Sequence, residues 1–218
     1  MNTRSRAEEF RSAGILRLEQ VIDLPAMERL RQDLDGMTVS AGSRRESWGL
    51  PIVMDLAQRL AAHVGDHLGL TLAPAWITFF DKRPERNWLV PRHRDDFLPI
   101  QDRAWAEGIG CQDFQIKEGL LYAIAPSWVY DQIVAARLAV DHNHGGNGPL
   151  EAVIGSHRTD VLDGDLVPWE ANAGDVVVMH PRCVHASRKI QVPDRRRVLH
   201  VNLVHAELVG RVGTGSIG

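Results

Sequence analysis

At 218 residues the chain can bury a full-sized core, and its 44% hydrophobic and 24% charged residues are those of an ordinary globular protein. A formal net charge of −3 argues against a bulk electrostatic partner such as nucleic acid or an anionic membrane, while leaving room for a local basic pocket. The two cysteines, Cys111 and Cys183, stand far apart and outside any paired metal spacing, which argues against a disulfide scaffold and for a reducing cytoplasm. The opening stretch MNTRSRAEEFRSAG has no apolar centre of a signal peptide, and no apolar run approaches membrane-spanning length.

The first third reads as helical. After Asp23, an N-cap with Pro25 in the first turn, Leu24, Met27, Leu30 and Leu34 form a stripe that Gly36 stops. A second helix runs from Pro51, with Val53, Leu56, Leu60, Val64 and Leu68 on one face, and ends near Gly69. His63 and His67 lie four apart on it, a zinc-compatible spacing, but no glutamate accompanies them and a polar helix face is the reading preferred.

From residue 72 the pattern changes to short strands at 75–80, 88–90, 136–140, 150–154, 175–180 and 196–204. Turn signals separate them, among them the HGGNGP run at 144–149, in which His142 and His144 read as turn residues. The stretch 97–130 mixes Trp105, Trp128, charges and glycines without periodicity and is read as a lid or pocket wall rather than a strand. Trp76, Trp88, Trp105 and Trp128 are expected in the core or pocket wall. The whole is expected to be one domain over 1–218: a mostly helical buttress at 1–70 on one side of a mainly β core at 71–208, sandwich or barrel.

The chemistry concentrates in two places. His93-x-Asp95 would point an imidazole and a carboxylate to one face if the strand continues, because side chains alternate with period two. By itself the pair is weak, and a solvated strand end bridged to Arg92 or Arg94 is the commoner explanation of it. A second histidine changes the weighing: two histidines and one carboxylate leave iron(II) with open positions for a chelating cosubstrate and dioxygen. GDVVVMHPRCVHASRK supplies His185, with His180 as its rival at the end of the preceding strand and Cys183 read as a small buried residue. Eleven positions beyond His185 the RRRVLHVNL strand begins with Arg196, whose guanidinium can hold a distant carboxylate by a two-pronged fork.

FFDKRPERNWLVPRHRDD (79–96), NGPLEAVIGSHR (147–158), AGDVVVMHPRCVHAS (173–187) and RRRVLHVNL (195–203) together resemble the phytanoyl-CoA dioxygenase family, in order and spacing, over about residues 8–205. The resemblance implies a double-stranded β-helix (jelly roll, cupin-like) with helices on one sheet. It implies iron(II) on His93, Asp95 and His185, and 2-oxoglutarate held by Arg196 with a hydroxyl contribution from Ser187. Arg195 and Arg197 remain as alternatives in case of misregister. Dioxygen would be consumed, 2-oxoglutarate would leave as succinate and carbon dioxide, and a small metabolite would be hydroxylated. The carboxylate at 95 points away from halogenation, since halogenating relatives have a small residue there.

Members often carry Trp before the first histidine and Gln after it; Arg92 and Arg94 here suit either an anionic substrate or ion pairs with Asp96. A jelly-roll protein that has lost catalysis, and a cupin-like isomerase or hydrolase, are the competing classes. A monomer or a homodimer is expected.

Overall fold

A computed structural model of the chain describes residues 3–35, 43–44 and 50–213. Its elements run α1 (Thr3–Ala13), β1 (Ile15–Leu18), α2 (Leu24–Asp35), β2 (Ser43–Arg44), α3 (Pro51–Leu68), β3 (Leu72–Lys82), β4 (Val90–His93) and β5 (Phe97–Pro99). They continue through α4 (Arg103–Gly108), β6 (Gln112–Lys117), β7 (Leu120–Ile124), α5 (Ser127–Tyr130) and β8 (Ile133–Ala139). The last strands are β9 (Leu150–Ala152), β10 (Val167–Trp169), β11 (Val176–Met179), β12 (His185–Ser187) and β13 (Arg196–His205).

The helices begin and end for local reasons. Asp23 Oδ1 accepts the Ala26 N–H at 2.9 Å, so α2 has the expected cap, whereas the expected stop at Gly36 lies outside the described residues. Pro51 opens α3, and Gly69 closes it in the left-handed region at φ 68°, where a side chain would be strained.

The strands form a six-stranded sheet of order β1-β11-β8-β13-β3-β2 and a four-stranded sheet of order β10-β9-β12-β4, antiparallel throughout. From β3 onward the chain crosses repeatedly between the two: β3 large, β4 small, β8 large, β9 small, β11 large, β12 small, β13 large. That crossing is the expected jelly roll, with its helices on one face of the larger sheet. Alternation assigns the faces. Ile77, Phe79, Leu199, Leu203, Val134 and Leu138 pack with Leu30, Leu56 and Leu60 of the helices in one cluster. Each such fully buried leucine contributes about 1.5–3 kcal/mol over an exposed one. The intervening Thr78, Phe80, Lys82, Arg137, Arg196, His200 and Asn202 turn to the space between the sheets. The fold therefore places polar chemistry inside and an apolar seal outside.

Several expectations needed correction. The opening 3–18 holds a helix and an edge strand, although the N-terminal third was expected to be helical; β1 is recruited by pairing with β11, Ile15 opposite Met179. β3 is longer than the predicted 75–80, and the expected strand 88–90 instead begins at Val90. The stretch 97–130 carries a separate three-stranded sheet, β5-β7-β6, rather than a strand-free wall. Five of the six β6 residues are exposed, so no alternation marks the strand. Its turn to β7 is Glu118-Gly119, both at positive φ (51° and 77°), as a tight hairpin requires. Trp128 is 45% exposed rather than core.

Candidate metal centre

β4 and β12 are neighbours in the smaller sheet, with His93 directly opposite His185. The ring centroids lie 4.2 Å apart. The strand ends at His93, so alternation along it does not place Asp95. Instead the Asp95 N–H donates to the Pro181 carbonyl at 3.0 Å, tying the ligand loop to the turn that leads into His185. Asp95 Oδ1 then lies 3.6 Å from His93 Nε2 and 4.0 Å from His185 Nε2. One ligand atom from each of the three residues falls within 4.8 Å of the others.

Each histidine is held by its other nitrogen. His93 Nδ1 is 2.8 Å from the Pro91 carbonyl and His185 Nδ1 is 2.9 Å from the Cys183 carbonyl. A carbonyl can only accept, so in the neutral ring Nδ1 carries the proton and the Nε2 lone pair is presented to the centre. Burial pushes His185 down to about 4, which keeps it neutral at ordinary pH. His93 is raised by its hydrogen bond to Asp95, against the effect of burial. Burial opposes ionisation of Asp95, but His185 and the His93 hydrogen bond outweigh it and hold the carboxyl well below the usual range. With a metal ion in place of the proton that His93 shares with Asp95, two neutral imidazoles and one carboxylate would form a donor set that suits a divalent iron with open positions.

A cavity of about 130 Å³ opens beside the three residues, lined also by Phe80, Trp88, Arg137, Ser187, Arg196 and His200. Arg196, 2% exposed, reaches it from the first position of β13. Its Nη2 lies 3.4 Å from Ser187 Oγ, while Nε and Nη1 are buried with no partner among the described residues. Unpaired buried donors on a cation are costly, and they mark where an anion is missing. Arg195 and Arg197 point to the other face: Arg195 binds Asp81, and Arg197 binds Asp141 at 2.8 Å and Asp35 at 2.9 Å. Alternation along β13 thus separates the three arginines.

Ser187 differs from a simple cosubstrate donor. Its hydroxyl donates to the Gly148 carbonyl at 2.9 Å, leaving the oxygen to accept from Lys82 Nζ at 2.8 Å and from Arg196. Lys82 and Arg137 are functional-site residues the sequence reading missed. Lys82 also donates to the Arg188 carbonyl at 2.7 Å, and burial beside Arg196 and Arg137 pushes its ammonium down to about 7. Arg137 donates to His200 Nδ1 at 2.7 Å and stacks on Phe80 at 5.4 Å. The one available signal was a charge at a strand centre flanked by alanines, AARLA.

Other candidates lie elsewhere. His180 Nε2 pairs with Asp131 at 3.2 Å and faces a cleft of about 700 Å³ beside α1 and α5, which touches none of the three ligands. Cys183 is fully buried, with Sγ 3.4 Å from the Val153 carbonyl. His63 and His67 stack on α3, and His144 caps the turn at 145–147 and pairs with Asp194 at 2.9 Å. Arg94 donates to the carbonyls of Ser156, Thr159 and Val161, and Arg92 to Leu162 and Asp163. Neither meets Asp96, the ion-pair partner expected for them, and both anchor the 156–163 loop.

A profile of the phytanoyl-CoA dioxygenase (PhyH) family matches residues 10–198. An iron/alpha-ketoglutarate-dependent dioxygenase, ausU of Aspergillus calidoustus, is 36% identical over 69 residues. That match covers 29% of this chain and 23% of the relative's length. Among solved structures, the alpha-ketoglutarate-dependent epimerase SnoN of nogalamycin biosynthesis has a TM-score of 0.69 at 18% identity, over 94% of this chain and 83% of that one. HygX of Streptomyces hygroscopicus, solved with nickel and 2-oxoglutarate, has a TM-score of 0.67 at 18% identity, over 94% and 88%. At these identities the structures establish a shared fold.

Proposed function

Because the chain belongs to the phytanoyl-CoA dioxygenase family, we propose that it is an iron(II)- and 2-oxoglutarate-dependent oxygenase that hydroxylates a C–H bond of a small metabolite. His93, Asp95 and His185 would hold the iron, and Arg196 the far carboxylate of 2-oxoglutarate. The observation that carries this reading is the pair of unpartnered guanidinium nitrogens of Arg196 in a small cavity that ends at the three ligands. A molecule with a keto acid at one end and a carboxylate at the other satisfies both ends of that cavity. Bound there, iron(II) couples the oxidation of a C–H bond by dioxygen to decarboxylation of the keto acid to succinate.

The protein's own work is positional. The Pro91 and Cys183 carbonyls fix the two imidazole tautomers. Ser187 and Lys82 hold the wall beside Arg196, so its fork is set before the anion arrives. Phe80 and Trp88 line the cavity with aromatic surface and exclude water. A carboxylate at position 95 favours hydroxylation, yet SnoN is described as an epimerase, so cosubstrate turnover and product must be measured separately. No helix among the described residues is long and apolar enough to cross a membrane, and both cysteines are buried free thiols, as suits a reducing compartment.

The test is an anaerobic titration of iron(II)-loaded protein with 2-oxoglutarate. A visible charge-transfer band that saturates at one equivalent is expected, followed by succinate release on admitting air. Absence of the band, or turnover of a substrate without dioxygen, would overturn the proposal.

A further inference from the structure

A second cavity, of about 140 Å³, meets the first at Asp95, Phe80 and His200, and its composition is different. One half comes from the large sheet: Trp76 and Thr78 of β3 stand beside Asn202 and His200 of β13, paired residue for residue. The other half comes from the 97–130 stretch, through Phe97, Leu98, Pro99 and Tyr122.

Two polar groups are uncommitted in this chamber. Asn202, 4% exposed, uses its Oδ1 toward His200 Nε2 at 3.3 Å, and its amide N–H groups have no partner among the described residues. His200 is locked in that role, because Arg137 donates to its Nδ1 and leaves Nε2 to carry the proton. The Thr78 hydroxyl, one step along the neighbouring strand, also has no partner among the described residues. Both groups sit on the floor of an otherwise aromatic and proline-lined box. Lys117 lies over the rings of Phe97 and Tyr122, 4.6 and 6.0 Å from their centroids, and braces that wall. Among the described residues no cation lines the box, and its one carboxylate, Asp95, belongs to the metal triad.

Resting on the oxygenase reading above, we propose that this chamber is the substrate site and that it takes one uncharged, oxygen-bearing six-membered ring, either a whole molecule or the terminal ring of a larger one. Volume sets the size of the inner part: its about 140 Å³ are close to the roughly 150 Å³ that admit a benzene ring, and because the chamber opens to one side a larger molecule can extend from that ring. The aromatic walls favour a ring face, and a buried amide N–H and a hydroxyl reward an oxygen substituent while a ring without one leaves them unpaired. Away from the metal, no cation among the described residues lining the chamber meets a carboxylate, which makes burying one there costly. The shared boundary brings one edge of the ring to the three ligands, where a C–H bond is oxidised.

Phenol, benzene and benzoate are the probes, titrated calorimetrically under argon into protein loaded with iron(II) and saturating 2-oxoglutarate. Phenol is expected to bind more tightly than benzene and than benzoate, whose carboxylate only the metal can meet. Thr78→Val, isosteric and without the hydroxyl, is expected to weaken phenol roughly fivefold and to leave benzene unchanged, the worth of one neutral hydrogen bond. Phe97→Ala is expected to weaken both rings together, because it removes wall and not floor. Benzoate binding as tightly as phenol, or a phenol-to-benzene ratio unmoved by Thr78→Val, overturns the proposal. The 2-oxoglutarate titration is run first on the same samples. Keto acid binding without ring selectivity sinks the substrate inference alone, whereas ring selectivity without keto acid binding sinks the oxygenase reading.

Discussion

The two cavities that meet at Asp95 are nearly equal in volume, about 130 and 140 Å³, but they are built from different material. The first is framed by strands of the jelly roll and crowded with cations: Arg196 and Arg137 on its wall and Lys82 behind Ser187. The second is uncharged apart from the shared Asp95 and takes half its wall from the stretch inserted between β4 and β8. The difference teaches how one fold serves many reactions. A chamber of fixed strands suits a cosubstrate that never changes, and a chamber closed by an insertion can be re-cut for each substrate without moving the metal.

The severest way to break this comparison is to remove what the chambers share. Asp95→Ala should weaken iron binding by more than the roughly 10–100-fold loss that follows removal of a metal ligand's outer partner, and should abolish hydroxylation. Anaerobic metal titration and succinate-coupled product assays check both. If iron binds as tightly as in the wild type and the product is unchanged, Asp95 is not a metal ligand and the chambers do not share a centre.

Next in size is Arg196→Met, which acts on the first chamber alone. It should cost the 2-oxoglutarate complex about 2–5 kcal/mol, the usual loss on truncating one partner of a buried charge pair. The same change should stabilise the empty protein, by about 1–3 kcal/mol, because two buried donors no longer go unpaired. A raised melting temperature together with lost keto acid binding is the expected signature. A lowered one would mean that Arg196 is structural.

These outcomes bear on why one chamber could be read from the amino-acid order and the other could not. His93 and Arg196 stand at strand ends, and alternation along β13 singled out Arg196 and turned Arg195 and Arg197 outward, while the pairing of Asp95 with His93 and the choice of His185 over His180 came from the family resemblance. Where the chain leaves its strands the logic fails. Asp95 is placed by a single hydrogen bond to Pro181, which no spacing encodes. Lys82 and Arg137 were passed over because a charge within a strand ordinarily faces water, whereas here the interior of the roll is the polar side. β6 was unreadable because an exposed strand has no buried face to stamp a pattern on it, and in β7 the two buried residues, Tyr122 and Ala123, are adjacent rather than alternating. β1 was missed for a related reason: four residues, ILRL, form a strand only because β11 offers an edge.

Lys82 offers a pH test of how cationic the first chamber is. Its ammonium is pushed from the ordinary 10.5 to about 7, first by burial and then by Arg196 and Arg137. Between those values the unfolded chain holds a proton that the folded chain has released, so the unfolded state binds more protons and stability rises with pH. Below about 7 both states are protonated and the folded state carries the whole penalty of a buried cation. The melting temperature of the wild type relative to Lys82→Met should therefore climb from pH 7 to pH 10. A difference that stays flat or falls would show that the ammonium is adequately matched by the Ser187 hydroxyl and the carbonyls of Ser187 and Arg188.

The smallest expected effect lies outside both chambers and checks that they are insulated from the loop beside them. Arg94 follows the first ligand directly, yet its guanidinium donates to three carbonyls at 156, 159 and 161. Arg94→Ala should cost roughly 1–2 kcal/mol of local stability, the scale of losing charge-assisted hydrogen bonds that are in part replaced by water. Amides of the 156–163 loop should exchange faster, while the 2-oxoglutarate titration and the phenol-to-benzene ratio stay as in the wild type. Arg92→Ala, whose Asp163 partner is 94% exposed, should do less, since so solvated a pair contributes little. If either change instead shifts ring selectivity, the two arginines belong to the substrate site, and the boundary drawn here around the second chamber is too narrow.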